Sequence, residues 1–374
     1  MSTLMDASTQ WATRPADQRF TSLSEMHAFA QSVRANSTAK VLPNRSMSAE
    51  PLLLEGGKGY SERGLVVRGP NGNPVAPTHW AFGQLAQRIG APAAYLRDLP
   101  APIAADCINW GFRQRDVEEL GILLHRPTPE AASMTAVTGP NYGRVWNESV
   151  ISQCVRTFGD GRTGTFRIPG EFGEQVEITK ANTTLFASDR DCFIFLADEE
   201  NRIEIPNRRN GEAGTLARGF FIRNSDVGAA ALVIDTFLFD YVCMNRIVWG
   251  VSEHVKHSIR HTSGAPARFL EEVAPALELM HDDKTQSIVT AIEAARANRI
   301  GDKEAVQVFL NKRFGLSLKQ ATGIMAAHET DEGRPIESLW DAATGVTAYA
   351  RGLDHQDSRF ALEQIGGKIL DMAA

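Results

Sequence analysis

From Val227 to Trp249 the sequence is an apolar run about long enough to cross a lipid bilayer, yet Asp235, Asp240, Asn245 and Arg246 interrupt it. Each charge would be costly at membrane depth. The run therefore reads as buried strand, with a hairpin turn at Cys243–Asn245, and no membrane partner is expected. Past it the pattern approaches period two. Val251, Val255 and Ile259 fall on one side, while Ser252, His254, Lys256, Ser258 and Arg260 fall on the other. This predicts a strand with one packed face and one polar, basic face. Upstream, Arg218 and Arg223 flank Phe220, Phe221 and Ile222.

Two readings of that face stay open. His254, Lys256 and Arg260 are three cation-capable groups on one face of a strand, spaced to follow a phosphate backbone, and Arg218, Arg223 and Arg246 would join them from neighbouring strands. Phe220, Phe221 and Trp249 on neighbouring strands would add base stacking if exposed, as single-stranded nucleic acid requires, although aromatics in such strands are ordinarily core. The alternative is a solvated outer face of an edge strand. The net charge of −6 over 374 residues gives no global attraction to a polyanion, so any such partner would meet a local basic patch.

With 43% hydrophobic and 22% charged residues, the chain has the composition of a globular protein long enough for two domains. Cys107, Cys154, Cys192 and Cys243 lack CxxC pairing, and three of them sit in apolar company, which favours reduced core thiols. The opening MSTLMDASTQWATRP lacks the basic start and apolar stretch of a signal peptide, so a cytoplasmic location is expected.

The expected fold class is α+β: an antiparallel β-sheet core with flanking helices and a helical C-terminal region. Residues 1–50 read as a loosely packed arm holding one helix over Ser22–Ala35, with Ser22 and Glu25 as a capping box. Residues 51–130 read as an α/β lobe, including a helix from His79 to Ile89 capped by Thr78 and stopped by Gly90. Over 131–264, short strands separated by Gly, Asn, Asp or Pro argue for an antiparallel sheet. They are expected at Met134–Val137, Thr165–Ile168, Val176–Ile178, Leu185–Ser188, Cys192–Leu196, Arg202–Ile205 and Gly219–Arg223, with a helix near Trp146–Phe158. Residues 265–374 turn to helix formers with apolar spacing of three to four.

No catalytic motif accompanies these elements. His254, His257 and His261 would fall near one face of a helix, but a strand points His254 away from the other two, so no metal is expected. Asp189 and Asp191, joined by Glu204, offer carboxylates for a magnesium ion, although Glu177 and Lys180 lack the usual nuclease spacing. A polar turn entering CFIFL explains the aspartates equally. The EGGKGYS stretch at 55–61 has its second glycine misplaced for a phosphate loop. No cofactor is implied.

The strings QWATRPADQRFTSL (10–23), TGPNYGRVWNESV (138–150), LFASDRDCFIFL (185–196), RGFFIRNSDVG (218–228), FLFDYVCMNRIVWG (237–250) and IRHT (259–262) resemble the domain of unknown function 932 family, which occurs on phages, prophages and plasmids. The resemblance runs over most of residues 10–370. It implies a mobile-element setting and transfers no catalytic residue. The element order, several antiparallel strands followed by a long helix, is also compatible with the ring-forming single-strand annealing proteins of recombination. The expectation is thus a protein that binds single-stranded DNA in recombination or annealing, forming a homo-oligomer or ring. Its competitors are a metal-dependent nuclease or phosphotransfer enzyme centred on Asp189, Asp191 and Glu204, and a protein-interaction or anti-host module.

Overall fold

The computed structural model describes residues 15–54, 59–70, 72–128, 131–169, 177–206, 208, 211, 213–240, 245–247, 257–278, 285–353 and 356–373. The chain enters through β1 (Arg19–Phe20) and α1 (Leu23–Ala35), a helix that buries Leu23, Met26 and Ala30 at three-to-four spacing. Each large apolar side chain so buried contributes roughly 1.5–3 kcal/mol. Ser22 Oγ accepts the Glu25 N–H at 3.1 Å, as expected, but the Glu25 carboxylate turns back to the Thr21 N–H at 2.8 Å. The capping box thus closes one residue early.

The lobe continues with β2 (Ser37–Pro43), β3 (Ser48–Leu53), β4 (Tyr60–Arg68), β5 (Ala76–Pro77), α2 (His79–Arg88), α3 (Ala93–Asp98), α4 (Ala101–Gln114), β6 (Glu119–His125) and β7 (Ser133–Thr138). Thr78 Oγ1 caps α2 by accepting the Ala81 N–H, and Gly90 ends it at φ +72°. A four-stranded sheet runs β2-β6-β7-β5, its β5–β7 pair parallel, and β3 and β4 form a separate hairpin. Here the loose arm expected over the first 50 residues gives way to woven structure: β2 pairs with β6 from Ser37↔His125 to Pro43↔Glu119. Its mostly exposed side chains erase the apolar alternation that would have marked it. β7 likewise belongs to this sheet and not to the larger one.

The main sheet takes α5 (Asn147–Phe158) on one face and is built from β1 with β8 (Phe166–Arg167), β9 (Leu185–Ala187), β10 (Cys192–Asp198), β11 (Ile203–Ile205), β12 (Gly214–Asn224), β13 (Leu232–Asp240), β14 (Asn245–Ile247) and β15 (His257–Ile259). Its described pairings are antiparallel, in the order β1-β9-β10-β12-β13-β14. The apolar run resolves into β13 and the hairpin it makes with β14, closing at Asp240↔Asn245. β12 lies inside and is covered on both sides. Phe220 and Ile222 pack with Ile194 and Leu196 against α1 and α5; Ala217 and Phe221 pack with Phe193, Phe195 and Phe360 on the other face. Of the alternating segment after Val251, β15 is described: Ile259 is buried while Ser258 and Arg260 are exposed. No strand occupies residues 177–178.

The remainder is helical: α6 (Ala265–Arg268), a π-turn over Phe269–Val273, α7 (Ala274–Glu278), α8 (Thr285–Ala297), α9 (Lys303–Phe314), α10 (Leu318–Glu332), α11 (Leu339–Arg351) and α12 (Gln356–Leu370). Ser317 and Ser338 each complete a capping box, which fixes the starts of α10 and α11. α11 is buried nearly all round and packs with α10, α12 and β14. Among the described residues, no helix is long and apolar enough to cross a membrane. The architecture is α+β, antiparallel sheet with a helical C-terminal region.

Candidate nucleic-acid interface

Arg218 and Arg223 are five residues apart on one strand, and an odd separation sends side chains to opposite faces. The two therefore do not share a groove. Arg218 donates to the buried Asp198 carboxylate at 2.8 Å. Burial raises the Asp198 pKa, but hydrogen bonds from Asn201 and Arg218 outweigh it and hold it below its usual value. Arg223 lies opposite Phe193, with its guanidinium 5.1 Å from the ring centroid. Arg260 is exposed, and the Arg246 backbone pairs with Phe239. His254, Lys256 and Trp249 lie outside the described residues. Phe220 and Phe221 are core, which removes them as stacking platforms. Among the described residues, Arg218 and Arg223 thus do not present one basic face together, and most of the strand expected to carry that face lies outside them.

A different set of cations does converge, where the lobe meets the main sheet. Burial alternates along 142–147: Gly143, Val145 and Asn147 are buried, while Tyr142, Arg144 and Trp146 are partly open. The buried set anchors the segment. The Gly143 N–H donates to His261 O at 3.1 Å, and Asn224 Nδ2 donates to Val145 O at 2.9 Å and to Asn147 Oδ1 at 2.8 Å. The opposite set meets the turn between β12 and β13. Tyr142 Oη donates to Ser225 O at 3.0 Å, and Arg144 donates to the Asp226 backbone carbonyl. From the lobe, Trp80 Nε1 and Gln84 Nε2 both donate to Val227 O, and Leu123, Ala136 and Val227 form a small apolar joint with Trp146.

Above this joint opens a cleft of about 490 Å³ lined by Arg34, Lys40, Tyr142, Arg144 and Trp146. The Arg34 guanidinium sits 3.9 Å from the Trp146 ring centroid, and that of Arg144 lies 5.4 Å from Trp146 and 5.1 Å from Tyr142. Such cation–π contacts hold guanidinium groups in place on aromatic faces. Tyr142 stacks in turn on His261, ring centroids 5.0 Å apart. Burial pulls the pKa of Arg144 down, though an arginine stays charged. Burial likewise lowers His261, which favours the neutral imidazole. Asp226 shows the opposite response of an acid: burial pushes it up to about 6 against the pull of Arg144.

Segments 138–150, 185–196, 218–228 and 259–262 meet at this joint. Sequence reasoning passed over Arg34, Lys40, Tyr142, Arg144 and Trp146 as a set. The cation–aromatic alternation of Tyr142, Arg144 and Trp146 was its one available signal, and nothing local connects it to Arg34 and Lys40.

The carboxylates considered for a metal do not gather. Asp191 is buried beside Cys192, which faces Asn224 at one end of β12, whereas Glu204 faces Thr215 at the other. Nine residues of strand put those ends about 30 Å apart. Among the described residues no cluster of three or more His, Cys, Asp or Glu side chains is arranged to hold a metal ion. Comparison with protein-family models, with curated proteins and with solved structures finds no match for this chain.

Proposed function

We propose that the chain binds single-stranded nucleic acid in the cleft between the lobe and the main sheet. The observation that carries this reading is the meeting of Arg34 and Arg144 over the Trp146 ring, with Tyr142 and Lys40 lining the same cleft. Guanidinium groups held on aromatic rings neutralise phosphates, and their own planes can stack on bases, without reading sequence. The mechanism is non-covalent: guanidinium and ammonium groups hold the backbone, and most bases stay available for pairing. An overall acidic chain is compatible with this arrangement, because a local group of cations can attract phosphate where the net charge does not. The resemblance to a family of phages and plasmids extends the reading to strand annealing or recombination in a cytoplasmic setting, with a ring or other homo-oligomer lining up successive clefts.

The test is a fluorescence anisotropy titration with single-stranded and duplex DNA at two salt concentrations. Tighter binding of the single strand, weakening steeply with salt and lost in the Arg34→Ala/Lys40→Ala chain, is expected. No binding at low salt overturns the proposal. Light scattering on the eluting peak of a sizing column checks for the ring.

A further inference from the structure

β2 is the outermost strand of the lobe sheet, paired with β6 along one edge only. Its register shows which backbone groups point the other way. The Arg126 N–H donates to Asn36 O at 2.8 Å and the Asn44 N–H to Glu118 O at 2.9 Å, just beyond the two ends of the β2–β6 ladder. Hydrogen-bonded pairs alternate along an antiparallel ladder, so Thr38, Lys40 and Leu42 spend their N–H and C=O groups on β6, while Ser37, Ala39, Val41 and Pro43 turn theirs outward. Among the described residues, nothing meets the outward groups of Ser37, Ala39 and Val41, whereas Pro43 O accepts from Ser46 Oγ at 2.7 Å. Thr38, Ala39, Lys40 and Val41 are all exposed, so the edge is open. A row of such groups is a template for another strand.

We propose that this edge pairs with the same edge of a second copy, antiparallel about a twofold axis at Ala39. The pairing specifies the oligomer of the nucleic-acid reading and rests on that reading only where the clefts are concerned. The chain's own strand fits the edge in one register. With the axis at Ala39, Ala39 faces itself and Ser37 faces Val41 of the second copy, so each outward N–H of these residues finds an outward C=O. Lys40 then lies opposite Thr38 of the second copy, whose hydroxyl accepts from the ammonium. An axis at Lys40 would set the two lysines face to face, which is destabilising, and would need the Pro43 carbonyl that Ser46 already occupies. An axis at Thr38 would leave Val41 unpaired. Pro43 has no N–H with which to extend the ladder, and a twofold contact closes on itself, so the pairing stops at two copies. Arg34 precedes β2 and Lys40 lies on it, so the axis brings two clefts together and one nucleic-acid strand can run through both.

The experiment is light scattering and amide hydrogen exchange on the full chain without nucleic acid, in dilute and concentrated samples. The scattering mass is expected to rise from one copy to two. Exchange at the Ser37, Ala39 and Val41 amides should slow at least about tenfold in the paired form, while Thr38 and Lys40, already bonded to β6, change little. Ala39→Pro removes the central outward N–H without touching the β6 ladder and should hold the chain at one copy. Should that variant fail to fold, the exchange pattern of the native chain decides alone. A native chain that stays monomeric leaves the edge to a foreign strand and overturns the proposal. So does a dimer whose outward amides exchange as fast as in the dilute sample, or one that persists in folded Ala39→Pro. A monomer that still binds single-stranded DNA loses the pairing and keeps the cleft; a paired chain that ignores DNA does the reverse.

Discussion

Arg208 reaches from the connection between β11 and β12 into the helical region and pairs with Glu332 at the end of α10, its Nε 3.0 Å from Oε1, with both side chains 1% exposed. Burial raises the Glu332 pKa, and the hydrogen bonds and charge of Arg208 more than reverse this. The pair joins sheet to helices across 124 residues of sequence.

Removing one partner of a buried pair strands the other charge, so Glu332→Ala should cost about 3–5 kcal/mol in urea unfolding. Replacing both, as Arg208→Met with Glu332→Leu, should recover most of that loss, since two apolar groups need no partner. A double variant as unstable as the single one would mean that the pair's geometry, and not charge burial, sets the cost.

Exchanging cations on the two sides of the molecule separates binding from stability. Arg34→Ala and Lys40→Ala, at exposed positions, should each leave unfolding within about 0.5 kcal/mol. Each should also lower the salt slope of single-strand binding by about 1. Arg218→Ala should do the reverse: it leaves Asp198 buried without its arginine, destabilising by about 3 kcal/mol, while affinity per folded molecule is unchanged. Anisotropy and denaturation on the same preparations check both halves.

The Asp226 carboxyl is raised from its ordinary 3.8 to about 6 by burial, so it binds its proton more tightly in the folded chain than in the unfolded one. Its stabilising contribution is therefore full below the unfolded value and lost as pH rises through about 6, a change of about 2–3 kcal/mol. His261 and His328, whose protons burial loosens, tilt the profile the other way. The test is accordingly the difference between the native chain and Asp226→Asn in denaturation across pH 4 to 8. The native chain should lose ground to the variant as pH rises, and parallel profiles would refute the assignment.

Gly143 packs so closely that an added Cβ would sit 1.8 Å from the Thr262 carbonyl oxygen. Backbone cannot yield as a side-chain tip can, so Gly143→Ala should destabilise by at least about 2 kcal/mol and weaken single-strand binding through displacement of Arg144. Calorimetry and the same titration report both effects; a neutral outcome would show that the 138–147 segment shifts freely.

Helices announced themselves in the sequence because their determinants are local. Ser22, Thr78 and Asp302 each accept a backbone N–H within their own first turn. The strand β10 was equally legible, because a strand covered on both faces reads as unbroken apolar sequence, as Cys192–Ala197 does before the buried Asp198. β2 was not, since its identity comes from a partner 76 or more residues further on and its own STAKVLP is a poor strand former. The same gap hid the cleft. Arg218 and Arg223 stand out along the chain, but strand parity separates them, whereas Arg34 and Arg144 are distant in sequence and meet over one indole ring.

The joint between lobe and sheet has a kinetic consequence. Val145 reaches His261 across 116 residues, and Trp80 reaches Val227 across 147. Loops of that length must close before any of these contacts can form, which places the cleft among the last features to mature as the chain folds. Occupancy of the cleft would then report on completion of the whole molecule: a strand that binds only the finished form raises its melting temperature by mass action, whereas nascent or half-assembled chains would leave nucleic acid untouched.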